Sequence, residues 1–146
     1  MEREDVREHI RHRVHELYYT IDMNCARVRL TCLSETLSVS IGEETMDAAL
    51  GLHGAGGFRA QCGLVEGALM FLGLYGKRRG RSEKEIVEAC YHYGEAFAAA
   101  FGSLTCRDLR PGGFRSDDPP HLCETITNKA INFAYDYVVA WLGTND

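Results

Sequence analysis

No two cysteines of this chain stand two or three residues apart. The six, at positions 25, 32, 62, 90, 106 and 123, are separated by 7, 30, 28, 16 and 17 residues. Such spacings match neither the paired cysteines of a zinc knuckle or dithiol motif nor the run of a ferredoxin, so any site built from these thiols must be assembled by the fold. Long apolar runs are also missing. The longest, Leu64 to Tyr75, is about a dozen residues and contains Glu66, whereas a membrane span needs roughly 18 or more. No excess of basic charge is present: 16 Lys and Arg stand against 21 Asp and Glu, a net charge of −5, which argues against nucleic acid as the main partner. The first residues, MEREDVREHIRHRVHEL, are charged throughout and hold no apolar signal core. A cytoplasmic location is therefore expected.

What remains is an ordinary globular composition of 146 residues, 45% hydrophobic and 25% charged, long enough to bury a core without disulfides or a structural metal. Alternation of β-branched residues is scarce and helical periodicity dominates. Asp5 to about Tyr19 places Val6, Ile10, Val14, Leu17 and Tyr18 on one stripe. A second helix is expected to start from Asn24 as its cap and to bury Ala26, Leu30, Leu33 and Leu37. ETMDAALGL suits a short helix ending in the flexible HGAGGF, and Gln61 to Leu74, apolar nearly all round, suits a central one. Ser82 with Glu85 forms a capping box for a helix that ends at Gly102. Ser103 or Thr105 caps a short turn, RPGGFRSDDPP is a loop, and a last helix is expected to open at Asp118 or Pro119. With no linker and no repeat, the fold class is all-α. The expectation is one helical domain over residues 1–146, a bundle of about five main helices plus short helical turns.

On this map Cys25, Cys62, Cys106 and Cys123 fall at or near the first turn of a helix, while Cys32 and Cys90 fall inside helices. Free backbone N–H groups and the helix dipole favour an anion at a helix start, so lowered thiol pKa values are expected for the first four. Mid-helix thiols in apolar stripes serve as small hydrophobes. Gly63 and Gly67, four apart, share a face that another backbone can approach closely. Glu66 lies on the face of Cys62 and could act as ligand or proton acceptor, or simply reach solvent.

The segments NCA at 24–26, GFRAQCGLVEGALMFLGLYG at 57–76, FGSLTCRDL at 101–109 and HLC at 121–123 together resemble the C_GCAxxG_C_C family. Its members are small helical proteins marked by four cysteines and a central CGAxxG motif, classed as redox-active or metal-binding. The resemblance implies that the marker cysteines are Cys25, Cys62, Cys106 and Cys123, with Gly63 and Gly67 as the motif glycines. One position departs: Leu64 stands where the motif has alanine, and its larger side chain would narrow whatever space adjoins Cys62.

Other constellations weigh less. His9, His12 and His15 recur every three residues, but the outer two diverge by roughly 120° around the helix and do not share one ion easily. His53 beside the glycine loop and His121 beside Cys123 are better placed to join the thiols. GLHGAGGF lacks the Lys-Ser/Thr of a phosphate loop, so its glycines read as a tight turn or as amides facing an anion. Arg107 and Arg110 follow Cys106 closely enough to lower its pKa, and GKRRGR is a solvated basic loop.

The function expected is thiol-based. Cys25, Cys62, Cys106 and Cys123 converge, either to bind zinc or an iron–sulfur cluster, which soft sulfur ligands favour, or to cycle between dithiol and disulfide. Gly63, Gly67 and Arg107 would border a bound group. The expected partners are a redox partner of unspecified identity and, for assembly, a second copy in a homodimer. The alternative is a non-catalytic helical binding or assembly module with core cysteines. A weaker idea is a small-molecule pocket lined by Tyr91, Tyr93, Phe97, Phe133 and Tyr137.

Overall fold

The computed structural model of the chain describes residues 2–119 and 121–144. These contain eight helical segments and no strand. Five are long: α1 (Arg3–Tyr19), α2 (Cys25–Leu37), α5 (Gly63–Arg78), α6 (Glu83–Phe101) and α8 (Glu124–Leu142). Three are short: α3 (Glu43–Ala48), α4 (Gly54–Gly57) and α7 (Cys106–Leu109). No helix among the described residues is long and apolar enough to cross a membrane.

Local chemistry sets most of these boundaries where the sequence places them. Asn24 caps α2 by accepting the Arg27 N–H at 3.0 Å. Its amide also donates to the carbonyls of Ala49 at 3.0 Å and Leu50 at 2.9 Å, tying the start of α2 to the residues after α3. Ser82 and Glu85 form the reciprocal capping box of α6, which ends at Gly102 with φ 88°. Thr105 caps α7. In α4 all four residues, Gly54, Ala55, Gly56 and Gly57, have positive φ, of 70°, 58°, 68° and 86°. It is a left-handed turn, which L side chains resist and glycine does not.

The last helix opens later than the sequence suggests, at Glu124 instead of Asp118 or Pro119. The Asp118 carboxylate is engaged instead by the Arg115 N–H and the Arg110 guanidinium. His121 then takes a left-handed conformation, φ 59°, which blocks helix propagation until Cys123.

Packing follows the apolar stripes. Val6, Ile10 and Val14 of α1 and Ala26, Leu30 and Leu33 of α2 are fully buried. Helix α5 is central, packing against α2, α6 and α8, while α1 packs against α2 and α8. Its seam with α2 is built on small residues: a Cβ added at Gly67 would lie 2.7 Å from the Ala26 carbonyl oxygen and 3.1 Å from its Cα. The close backbone approach expected of these glycines is therefore present. Tyr93, Phe97, Phe101, Phe133 and Tyr137 stack on one another, with Tyr93 and Phe97 fully buried. Tyr91 points away at 66% exposure. Tyr93 and Phe97 are part of the hydrophobic core, with Phe101, Phe133 and Tyr137 packed against it.

One buried group is unexpected. Arg29 is fully buried; one guanidinium nitrogen donates to the Tyr93 hydroxyl, while Nε and Nη2 have no partner. An incompletely paired buried cation costs several kcal/mol, of the order of the whole stability margin of a small protein.

Because the atoms facing Gly67 are backbone, Gly67→Ala is expected to lower unfolding stability by about 1–3 kcal/mol. Gly73→Ala, in the same helix with nothing within 4 Å of the new Cβ, should be neutral or gain up to about 1 kcal/mol from helix propensity. Paired denaturant titrations of the two variants measure both.

Candidate thiol site

The four helix-start cysteines occupy two kinds of position. Cys25 and Cys106 are the first residues of α2 and α7, and Cys62 and Cys123 are the caps preceding α5 and α8. Cys32 is fully buried inside α2 and Cys90 half-buried inside α6. All six are free thiols.

Three of the four face one space. Cys25, Cys106 and Cys123 line a cavity of about 340 Å³, together with Tyr18, His53, Arg59, Arg110, Phe114 and His121 among others. Cys62 is 7% exposed and does not line it. Its neighbour Gly63 sits against Cys25: a Cβ there would come within 2.2 Å of the Cys25 sulfur and 2.4 Å of the Leu52 carbonyl oxygen. That same carbonyl lies 4.0 Å from the Cys25 sulfur, which donates to it weakly.

A short backbone pairing, not visible in the sequence, joins Cys62 to Cys106. The Cys62 N–H donates to the Leu104 carbonyl at 2.8 Å and the Cys106 N–H to the Ala60 carbonyl at 2.6 Å, on either side of an antiparallel bridge between Gln61 and Thr105. Alternation along extended backbone puts Cys62 and Cys106 on the same side of this pairing. The α4 turn closes over it, since a Cβ on Gly54 would lie 3.2 Å from both the Arg59 backbone and the Cys106 Cβ.

The electrostatics reverse the expectation of lowered thiol pKa values. Burial pushes all four thiols up, Cys25 to about 12 and Cys62 to about 11. The helix-start amides do act, the Leu64 N–H pulling Cys62 down and the Ala26 N–H pulling Cys25 down, but desolvation outweighs them. The remaining influences are nested. On Cys106 burial is opposed by Arg110 and then Arg59. Cys123 is raised by burial, lowered by the charge and a hydrogen bond of Arg110, and raised by the charge of Cys106. After burial and the Leu64 amide, Cys62 feels Cys106, the lowering charge of Arg29, and Cys123. Cys25 is raised by burial and then by Cys62, Cys106 and Cys123.

The other candidate residues fall unevenly around this cluster. Arg107 is exposed, and the guanidiniums that act on Cys106 are Arg110, three residues further on, and Arg59, 47 positions before it. Gly63 and Gly67 sit in the seam of α2 and α5, away from the cavity wall. Leu64, at 1% exposure, belongs to the core and does not narrow the cavity. Glu66 is half-buried, and burial raises its carboxyl pKa. His53 lines the cavity. His121 also lines it, its Nε2 lying 3.0 Å from Asp22 and its ring stacked on Tyr18 at 4.6 Å. His9 and His15 pair with Glu35 and Glu124 on separate helices.

Zinc and iron–sulfur sites need ligands converging on one point at bonding distance, deprotonated when they bind. Among the described residues no group of three or more His, Cys, Asp or Glu side chains is arranged in that way, and burial favours protonated thiols. The residues as they stand do not fit a preformed metal centre.

The pattern of cysteines and glycines has a counterpart among known sequences. Residues 23–137 match the family described as "Putative redox-active protein (C_GCAxxG_C_C)". No curated protein and no solved structure matches the chain. The match takes in all four helix-start cysteines, both seam glycines and the cavity arginines, and the chain belongs to the C_GCAxxG_C_C family.

Proposed function

We propose that this protein performs thiol–disulfide exchange, with Cys106 as the attacking thiol and Cys123 as the thiol that resolves the mixed disulfide. The observation that carries this reading is the pair's shared setting. Both line one cavity, and both have burial opposed by the Arg110 guanidinium. Thiolate is the attacking species, and a nearby cation raises its fraction. Cys106 has two such cations, Arg110 and Arg59, where Cys123 has Arg110, and this favours Cys106 as the attacking thiol. Cys25 and Cys62, pushed to about 12 and 11, remain protonated at neutral pH.

A second reading, a helical assembly module whose cysteines only pack, is favoured by the upward direction of all four shifts. The two readings separate when the reduced protein is mixed with 2-hydroxyethyl disulfide and followed by mass spectrometry. The exchange reading expects transient modification of Cys106, then a Cys106–Cys123 bond. Cys123→Ser should trap the mixed disulfide and Cys106→Ser should abolish fast modification, with Cys32→Ser unaffected. Slow, unselective modification of all six with no internal disulfide would leave the packing module standing.

Two pH dependences follow from the shifts. Alkylation of Cys106 by iodoacetamide should rise about tenfold per pH unit from 7 to 8.5 with no plateau, since its pKa lies above the ordinary thiol value. The buried thiols also link stability to pH. In the unfolded chain they ionise near 8.5, in the folded one near 11 and 12. Their contribution is thus fully present below about pH 8.5 and lost as pH rises toward the folded values. Thermal unfolding between pH 7 and 10 should show a falling midpoint, and Cys25→Ala should flatten that fall.

A further inference from the structure

The chain carries a net charge of −5, yet the cavity that holds three of its thiols is flanked by two guanidiniums. The Cζ atoms of Arg59 and Arg110 lie over the Phe114 ring, at 4.1 Å and 4.6 Å from its centroid. Arg110 is already engaged, with Nη2 3.2 Å from Asp118 and Nε donating to the Gly113 carbonyl at 3.2 Å. Among the described residues, Arg59 makes its one ring contact with Phe114 and no hydrogen bond or ion pair through its guanidinium. The carboxylate on the cavity wall, Asp22, is directed to His121. The wall therefore presents one uncommitted cation beside Cys106.

The backbone places that cation at a cost. Arg59 has φ 69°, and of the five non-glycine residues with positive φ among those described, Arg59, Asp22 and His121 all line the cavity. Residues held in this sparsely populated region cluster where surrounding structure fixes a functional geometry. The cavity's 340 Å³ lies at the lower end of the range for small-molecule sites.

Resting on the exchange reading above, we infer that the cavity takes a low-molecular-weight disulfide bearing carboxylates, its anionic group held by Arg59 and its sulfur–sulfur bond presented to Cys106. The Cys106 thiolate attacks one ligand sulfur; the ligand S–S bond breaks and the first thiolate leaves, taking up a proton equivalent to the one Cys106 released. The Cys123 thiol, losing its own proton, then attacks the Cys106 sulfur and expels the second ligand thiolate, which is protonated in turn. The ligand gains two electrons and two protons and becomes two thiols; the protein dithiol loses them and becomes a disulfide.

The experiment compares three disulfides of different charge on the reduced full-length chain: oxidised glutathione (anionic), 2-hydroxyethyl disulfide (neutral) and cystamine (cationic). Each rate is divided by that disulfide's rate with 2-mercaptoethanol, a thiol with no other charged group, which removes intrinsic reactivity. The expected order is anionic, neutral, cationic, with the anionic preference weakened by salt. Arg59→Gln is expected to reduce the ratio of anionic to neutral rates by about tenfold, even where loss of its charge slows Cys106 toward both. Equal normalised rates for all three disulfides, or an anionic preference that survives Arg59→Gln, would overturn the ligand assignment while leaving thiol exchange intact. Failure of every disulfide to react, with the thiols still open to iodoacetamide, would overturn the exchange reading and this inference with it.

Discussion

The contact between α2 and α5 is the constraint on which the remainder of this structure depends. Two glycines one helical turn apart let the backbone of Ala26 come within van der Waals distance of α5, closer than any side chain would permit. That approach brings the starts of both helices, and hence Cys25 and Cys62, to one place. The short pairing of residues 60–62 with 104–106 then hangs α7 on the start of α5 and adds Cys106. The left-handed His121 delays α8 until Cys123 is its cap. Four helix starts that are far apart in sequence meet because a seam of small residues holds the first two together.

The same density explains the chemistry. A thiol at a helix start in water would be acidified by the amides above it, and those amides do act on Cys25 and Cys62. Packed this closely, the thiols lose more from desolvation and from one another's charge than they gain from the backbone. At the cavity wall Arg110 opposes that penalty on both Cys106 and Cys123, with Arg59 adding to it at Cys106, while Cys62 has the charge of Arg29 instead. The result is a graded set, with Cys106 and Cys123 beside Arg110 and Cys25 and Cys62 raised furthest.

Much of this was legible in the sequence wherever the determining interactions are local. Asn24, the Ser82–Glu85 box and Gly102 mark helix ends through contacts within a few residues, and the apolar stripes of α1 and α2 are buried as their spacing requires. The glycine pair was readable as a close approach because its periodicity is a local property. What escaped depends on the folded surroundings. The sign of the thiol shifts is a matter of burial, which no first-turn position reveals. Arg59 reaches Cys106 from 47 positions away, and its one sequence signal was its place in the GFRAQC segment before Cys62. Arg29 looks like a surface charge on an amphipathic helix, and only the packing of α2 against the Tyr93 cluster encloses it.

The positions of these thiols along the chain have a thermodynamic side. Cys106 and Cys123 stand 17 positions apart, so a bond between them closes a short loop; Cys25 and Cys123 are 98 apart, and a bond there would encircle most of the chain. By loop-closure entropy alone, the first restrains the unfolded ensemble by about 3 kcal/mol and the second by nearly 5. A bond between Cys106 and Cys123 is thus the mildest covalent change this cluster can undergo, and a bond from Cys123 to Cys25 would lock the chain more firmly. The order in which thiols are spent becomes an order of increasing grip on the fold.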